Sequence, residues 1–263
     1  MKKYPITPII GSMPHRIALA GGWIDQPFVS KLNTQPFGSM VVAQIEPDFL
    51  PMERSGLAGS TRSTAIKLWP DGLPWRPRES LVRELYVAEN KGKSAPSGSQ
   101  DMIGLLYPGI NRLDYNYSSH RGVFPTNIAS ITDAAHAHWL EEVLHVLPIA
   151  PRPPGYDPLG IKHLDPEWIA RLGQSGTDCF RAITEMDPRK LGRSFNECME
   201  CWETILPATI RHRTIKTDLK GILKTYQRHS LGAMYSGCGG GYLFVISEKS
   251  VPGSFKIKIR TKD

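Results

Sequence analysis

Four sets of residues in this 263-residue chain have types and spacings suited to chemistry on a small anionic or polyhydroxylated molecule. The first is PHRIALAGGWIDQPF, Pro14 to Phe28. Arg16 opens a short apolar run, Gly21 and Gly22 stop it, and Asp25 follows the turn. A cation at the start of a strand and an acid just beyond it can hold a sugar or a phosphate, because the glycines let backbone approach a ligand closely. Trp23, inside the same turn, is suited to lining a sugar site, whereas the other five tryptophans read as packing. The second set is SGLAGSTRSTA, Ser55 to Ala65. Gly56 and Gly59 give conformational freedom and Ser60, Thr61 and Ser63 give hydroxyls. A helix beginning at Ala65 would aim free N–H groups and its positive dipole end at an anion. The same residues also fit a plain capped helix start behind a flexible loop.

The third set is the pair Glu89 and Asp101, twelve positions apart across the Gly/Pro/Ser-rich GKSAPSGSQ. Such a loop can fold two carboxylates toward one site, one to hold Mg²⁺ and one to accept a hydroxyl proton. Taken alone, Asp101 reads better as the N-cap of MIGLLY. The fourth is LGAMYSGCGGGYLFVIS, with Gly237 and Gly239 to Gly241 leading into a strand. A dinucleotide-binding glycine motif follows a strand and opens a helix, so this one is read as a tight backbone approach instead. VAENKGKS is rejected as a P-loop, since Val87 stands where its first glycine belongs and a helix precedes it. Cys198 and Cys201 have metal or redox spacing, but no second pair accompanies them and they read as core thiols. His136, His138 and His145 fall on one expected helical segment and are read as structural or surface residues.

Elements must position these groups. Strands are expected around Ile17 to Ala20 and in SMVVAQI, a helix in ESLVRELYVAEN, and a strand in NRLDYNY. WLEEVLHVLPIA changes from helix to strand and runs into PRPPGYDPLG, the densest proline cluster, where a domain boundary is placed. Three helical stretches follow, and Asp165–Pro166 and Asp187–Pro188 are N-cap and first-turn signals. GYLFVIS and FKIKIRT close the chain as strands, Phe255, Ile257 and Ile259 sharing one face. The pattern is α+β.

The net charge of +7 favours anionic partners, but no basic run of five or more occurs, so a nucleic-acid tail is not expected. No stretch approaches a membrane span, the N-terminal MKKYPITPIIGSMPH does not read as a signal peptide, and a cytoplasmic protein with reduced thiols is expected.

Taken in order, the four sets resemble the motifs of the GHMP kinases, the family of galactokinase, homoserine kinase and mevalonate kinase. PHRIALAGGWIDQP resembles the first motif, in a form most similar to the fucokinase and heptose-7-phosphate kinase branch. SGLAGSTRSTA resembles the phosphate-binding motif, AENKGKSAPSGSQDM the segment with the Mg²⁺-binding glutamate and catalytic aspartate, and LGAMYSGCGGGYLFVIS the third motif. The resemblance spans about Pro14 to Ser247. It implies a two-domain α+β fold, residues 1–148 like ribosomal protein S5 domain 2 and residues 149–263 ferredoxin-like. It also implies ATP and Mg²⁺ as cofactors and a sugar or sugar phosphate as substrate, with no nucleic-acid or membrane partner and room for a homodimer. Asp101 would then be the base, kept at a low pKa by Arg16, its cationic partner. Gly22, Trp23 and Asp25 would contact the sugar. Gly56, Leu57, Ala58, Gly59, Ser60 and Thr61 would wrap the phosphates, supported by Gly237, Gly239 and Gly240. Ser60 and Glu89 would hold Mg²⁺. Three departures stand out: Arg62 enters the phosphate loop, where it would clash with or grip phosphate; Ile24 replaces a threonine of the first motif; and the chain is short for a sugar kinase. Arg62 and the short chain motivate a second reading, a non-catalytic protein of this fold that binds nucleotide or sugar.

Overall fold

The computed structural model describes residues 13–93 and 96–262. Residues 1–12, which include most of the N-terminal segment judged not to be a signal peptide, and residues 94–95 of the GKSAPSGSQ loop lie outside the described set. Two antiparallel sheets organise the chain. The first runs β1 (His15–Ala18), β2 (Gly38–Ile45), β3 (Ile110–Tyr115) and β4 (Asn127–Ile131), hydrogen-bonded in that order. The second has the order β5 (Leu144–Ala150), β7 (Gly241–Ile246), β6 (Gly232–Tyr235). Eight α-helices are described: α1 (Pro27–Ser30), α2 (Gly59–Leu68), α3 (Arg78–Asn90), α4 (Gln100–Leu106), α5 (Ala134–Val143), α6 (Pro166–Thr184), α7 (Pro188–Ile205) and α8 (Leu219–His229). The architecture is α+β, as the sequence pattern implies.

β2 is buried along its whole length, including the apolar Met40 to Ala43 at its centre. One side of it is covered by α6. Gly173 and Gly176 allow that contact: a Cβ on Gly173 would stand 2.8 Å from Gly38 Cα, and one on Gly176 would overlap the Ser39 carbonyl. Helix α6 thus comes from the second half of the sequence to roof the first sheet. Its start is set as the sequence signals, with the Asp165 carboxylate accepting from the Glu167 and Trp168 amides; Asp187 caps α7 through the Lys190 amide.

Four expectations change. Helix α2 begins at Gly59, six residues before Ala65, so Ser60, Thr61 and Ser63 belong to its first turns. Asp101 lies inside α4, whose N-cap is Ser99, and it caps nothing. His145 sits on β5 and shares no helix with His136 and His138. FKIKIRT keeps its alternation, with Ile257 and Ile259 buried, but it forms isolated bridges in place of a regular strand: Phe255 pairs with Val146 of β5 and Ile259 with Ile45 of β2. The segment therefore touches both sheets.

Candidate active site

Helix α4 lies across the start of β1, and two of its residues face Arg16. Asp101 forms an ion pair with the Arg16 guanidinium, the two side chains being 20% and 5% exposed. Three positions on, Gly104 lies against the arginine stem, where a Cβ would overlap Arg16 Cγ. Residues i and i+3 share a helix face, so one provides the anion for the head while the other makes room for the stem. The guanidinium also reaches the second set: Arg16 Nη1 donates to the Gly56 carbonyl at 3.3 Å. The expected acid and the expected phosphate loop thus flank one cation.

Gly56 has φ 87° and Ala58 φ 55°, so the chain turns through left-handed conformations into α2. The N-cap, Ala58, has no side chain able to accept from the first amides, and Gly59 and Ser60 are exposed. An uncapped, solvent-facing helix start leaves its N–H groups and positive dipole end available. Behind it stands the fourth set. Ser236 Oγ donates to the Ser55 carbonyl at 2.5 Å, and a Cβ on Gly56 would come within 2.6 Å of the Ser236 carbonyl. Gly239, Gly240 and Gly241 have φ of 78°, 108° and 91°, a run only glycine adopts without strain. Gly237, Gly239 and Gly240 therefore belong to a loop that buttresses the Gly56 turn.

The first turn is fastened from the other side. The Gly21 amide donates to Cys198 Sγ at 3.4 Å, and Trp202 Nε1 donates to the Gly22 carbonyl at 3.0 Å. Burial pushes the Cys198 thiol up to about 12, so it remains a neutral acceptor. All four cysteines are free and buried, and no cluster suited to a metal occurs among the described residues.

No protein-family model matches this sequence, and no curated protein is similar to it in sequence. Solved structures do match. Galactokinase of Lactococcus lactis, complexed with galactose, superposes with a TM-score of 0.64 at 11% identity, covering 94% of this chain and 92% of the other. Mevalonate kinase of L. major, complexed with R-mevalonate, gives 0.58 at 11% identity over 95% of each chain. A D-glycero-D-manno-heptose 1-phosphate kinase of Bacteroides thetaiotaomicron gives 0.53 at 12% identity over 94% and 95%. This is the GHMP-kinase fold. At such identities the likeness establishes architecture, and the chemistry rests on the residues.

Within the GHMP-kinase fold, the structure brings Ser60 and Glu89 together at 3.2 Å. Thr64 Oγ1, one turn beyond Ser60, donates to the other Glu89 oxygen at 2.7 Å. The Lys93 ammonium sits on Glu89 Oε1 at 2.7 Å, with Glu89 4% and Lys93 39% exposed. A buried carboxylate with two hydroxyls and an ammonium on it fits a cation. A metal there would displace Lys93, whose exposed stem can swing into solvent. Arg62 turns away from the phosphate loop, and its Nε donates to the Met13 and Pro14 carbonyls at 3.0 and 3.1 Å. Ile24 is fully buried under Gly38 and belongs to the core. Gly22 faces the Trp202 ring, and Trp23, at φ 82°, is half-buried beside Phe28.

Asp25 is more enclosed than a sugar ligand read from sequence: it is 1% exposed, and its Oδ2 has no hydrogen-bond partner. A side chain at Gly98 would overlap that oxygen. Burial pushes the carboxyl up to about 6, against the pull of Arg16, while Arg16 is drawn down to about 9 by burial and stays protonated at neutral pH. An acid raised in the fold makes it less stable as pH climbs from the ordinary 3.8 through 6, because the folded state holds the proton longer. His15, drawn down to about 4 by burial and then by Arg62, acts oppositely, since the stability of its neutral form is lost as pH falls below 6.5. A difference against Asp25→Asn cancels His15. Wild type is expected to lose about 2 kcal/mol relative to the variant between pH 4 and pH 7. Denaturant midpoints across that range measure it; a difference that does not change with pH removes Asp25 as the titrating group.

Sequence reasoning passed over Gly104, Thr64 and Lys93. Thr64 had a signal, its four-residue spacing from Ser60 on one helix face. Lys93 had one too, its four-residue spacing from Glu89, whereas Gly104 matters through Arg16, far away in the sequence.

Proposed function

We propose that this chain is a GHMP-type kinase that transfers the γ-phosphoryl group of ATP to a hydroxyl of a sugar or sugar phosphate. The observation that carries the reading is Arg16, held between the Asp101 carboxylate and the Gly56 carbonyl of the anion-binding turn. Phosphoryl transfer asks for positioning and charge neutralisation more than covalent help. Gly56 to Thr61 and the start of α2 bind the phosphate chain, with Gly237, Gly239 and Gly240 holding the turn in shape. Asp101 orients the acceptor hydroxyl and takes its proton as the new O–P bond forms and ADP departs. Arg16 pairs with that carboxylate and offers positive charge to the transferred group. Gly22, Trp23 and the enclosed Asp25 are assigned to the sugar end of the site. Ser60 and Glu89 would hold Mg²⁺, which when bound neutralises phosphate charge.

We assign residues 1–148 and 149–263 to the two lobes of such an enzyme. The non-catalytic reading loses its residue-level motive, because Arg62 is occupied with the Met13 and Pro14 carbonyls. An ADP-release assay over a panel of sugars and sugar phosphates, with and without Mg²⁺, tests the proposal. The expected result is Mg²⁺-dependent release with one acceptor or a few related ones. ATP binding without product on the whole panel would favour the binding-only protein, and no ATP binding would end both readings.

A further inference from the structure

The proline-rich PRPPGYDPLG, assigned above only to a boundary, runs along the phosphate-binding turn. The Arg152 amide donates to the Arg54 carbonyl at 3.2 Å, and Arg54 Nη2 returns a bond to the Pro153 carbonyl at 2.7 Å. This pairing lays the Arg152 side chain between two glycines that are far apart in the sequence. A Cβ on Gly56 would come within 2.8 Å of Arg152 Nη2, and one on Gly237 would overlap the same atom. Each glycine leaves the space that the guanidinium fills. The head is not neutralised: Nε is buried without an acceptor, and among the described residues no carboxylate pairs with Arg152. Arg16 is close enough for Arg152 to oppose its charge. Arg16 has Asp101 and Asp25 for company; Arg152 has neither.

A partly buried guanidinium without a counter-charge is costly, and it is retained where an anion completes it. The anion that fits touches both glycine turns at once, and a phosphate chain has the charge and length to do so. Guanidinium forks match phosphate oxygens in pairs. We propose that Arg152 is a phosphate-binding residue that grips the polyphosphate of the nucleotide from the second half of the chain, opposite the start of α2. The inference rests on the kinase reading for the nucleotide, but not for the anion.

Inorganic tripolyphosphate and a non-hydrolysable ATP analogue are the probes, with a hexose phosphate to represent the acceptor's own phosphate. Affinities are measured by calorimetry and thermal shift on the full chain and on Arg152→Met and Arg152→Lys. Loss of the fork is expected to weaken tripolyphosphate and the analogue at least tenfold in Arg152→Met, with partial recovery in Arg152→Lys. Arg152→Met should also melt higher than wild type without ligand, since it removes an unpaired cation, and it should lose the upward shift that tripolyphosphate gives wild type. A purely structural arginine would show the reverse in the ligand-free melt. If the analogue binds wild type and Arg152→Met equally, the inference falls and the kinase reading stands. If tripolyphosphate depends on Arg152 but the analogue binds no better and nothing turns over, the anion site stands and the kinase reading falls. Weakening confined to the hexose phosphate, or tripolyphosphate binding to neither protein, overturns the assignment.

Discussion

Asp101→Asn is expected to lower the turnover rate by roughly a thousandfold while changing nucleotide affinity by only a few-fold, within the range seen for loss of a positioned general base. Asparagine keeps the shape of the side chain and its place on α4, so the hydroxyl can still approach. What disappears is the acceptor for its proton and the negative partner of Arg16. The phosphate contacts assigned to Gly56 through Thr61 come from a different loop and are left in place. Single-turnover rates with the acceptor found in the panel, alongside the dissociation constant of an ATP analogue, separate the two effects. Turnover within threefold of wild type would remove Asp101 from the mechanism.

Gly104→Ala should act nearly as strongly, although it adds only a methyl group and touches no ligand. The added Cβ would overlap the Arg16 stem. The stem has little room to yield, since Arg16 is buried and its head is tied to Asp101 and Gly56. Displacing a reacting group by about 1 Å can cost about a hundredfold in rate, and a loss of that order is expected. Stability should change less. Alanine in a helix gains up to about 1 kcal/mol over glycine, which offsets part of an overpacking cost of about 1–3 kcal/mol. A double-mutant cycle with Arg16→Met checks the route: with the guanidinium gone, Gly104→Ala should cost little further activity. Additive losses would mean that the methyl group acts on something other than Arg16.

The sequence was most readable where local signals and tertiary needs agree. Asp165 and Asp187 cap helices as their Asp-Pro pairs announce, and β2 is the buried strand that its apolar run describes. It was least readable where distant contacts decide. Helix α2 starts early because Ser60 and Thr64, weak helix formers, are held by Glu89 from α3. β4, Asn127–Ile131, went unrecognised because it is a half-exposed edge strand without a clean alternation of apolar residues. At the site, residues that would act by their own chemistry stood out, while those that make room, such as Gly104, or that arrive from a connection, such as Arg152, left no local trace.

The bridging segment near the end of the chain bears on the order of folding. Ile259 completes the end of β2, and Phe255 completes the edge of β5. Arg260 binds Glu46 through two nitrogens, at 2.9 and 2.6 Å, across 214 positions of sequence. Until residues 255–260 join, Ile45 at the β2 terminus has only its β1 partner, His15. Loop closure over such a distance is slow and leaves sheet edges open to wrong partners meanwhile. One short stretch thereby couples the completion of the two sheets to each other.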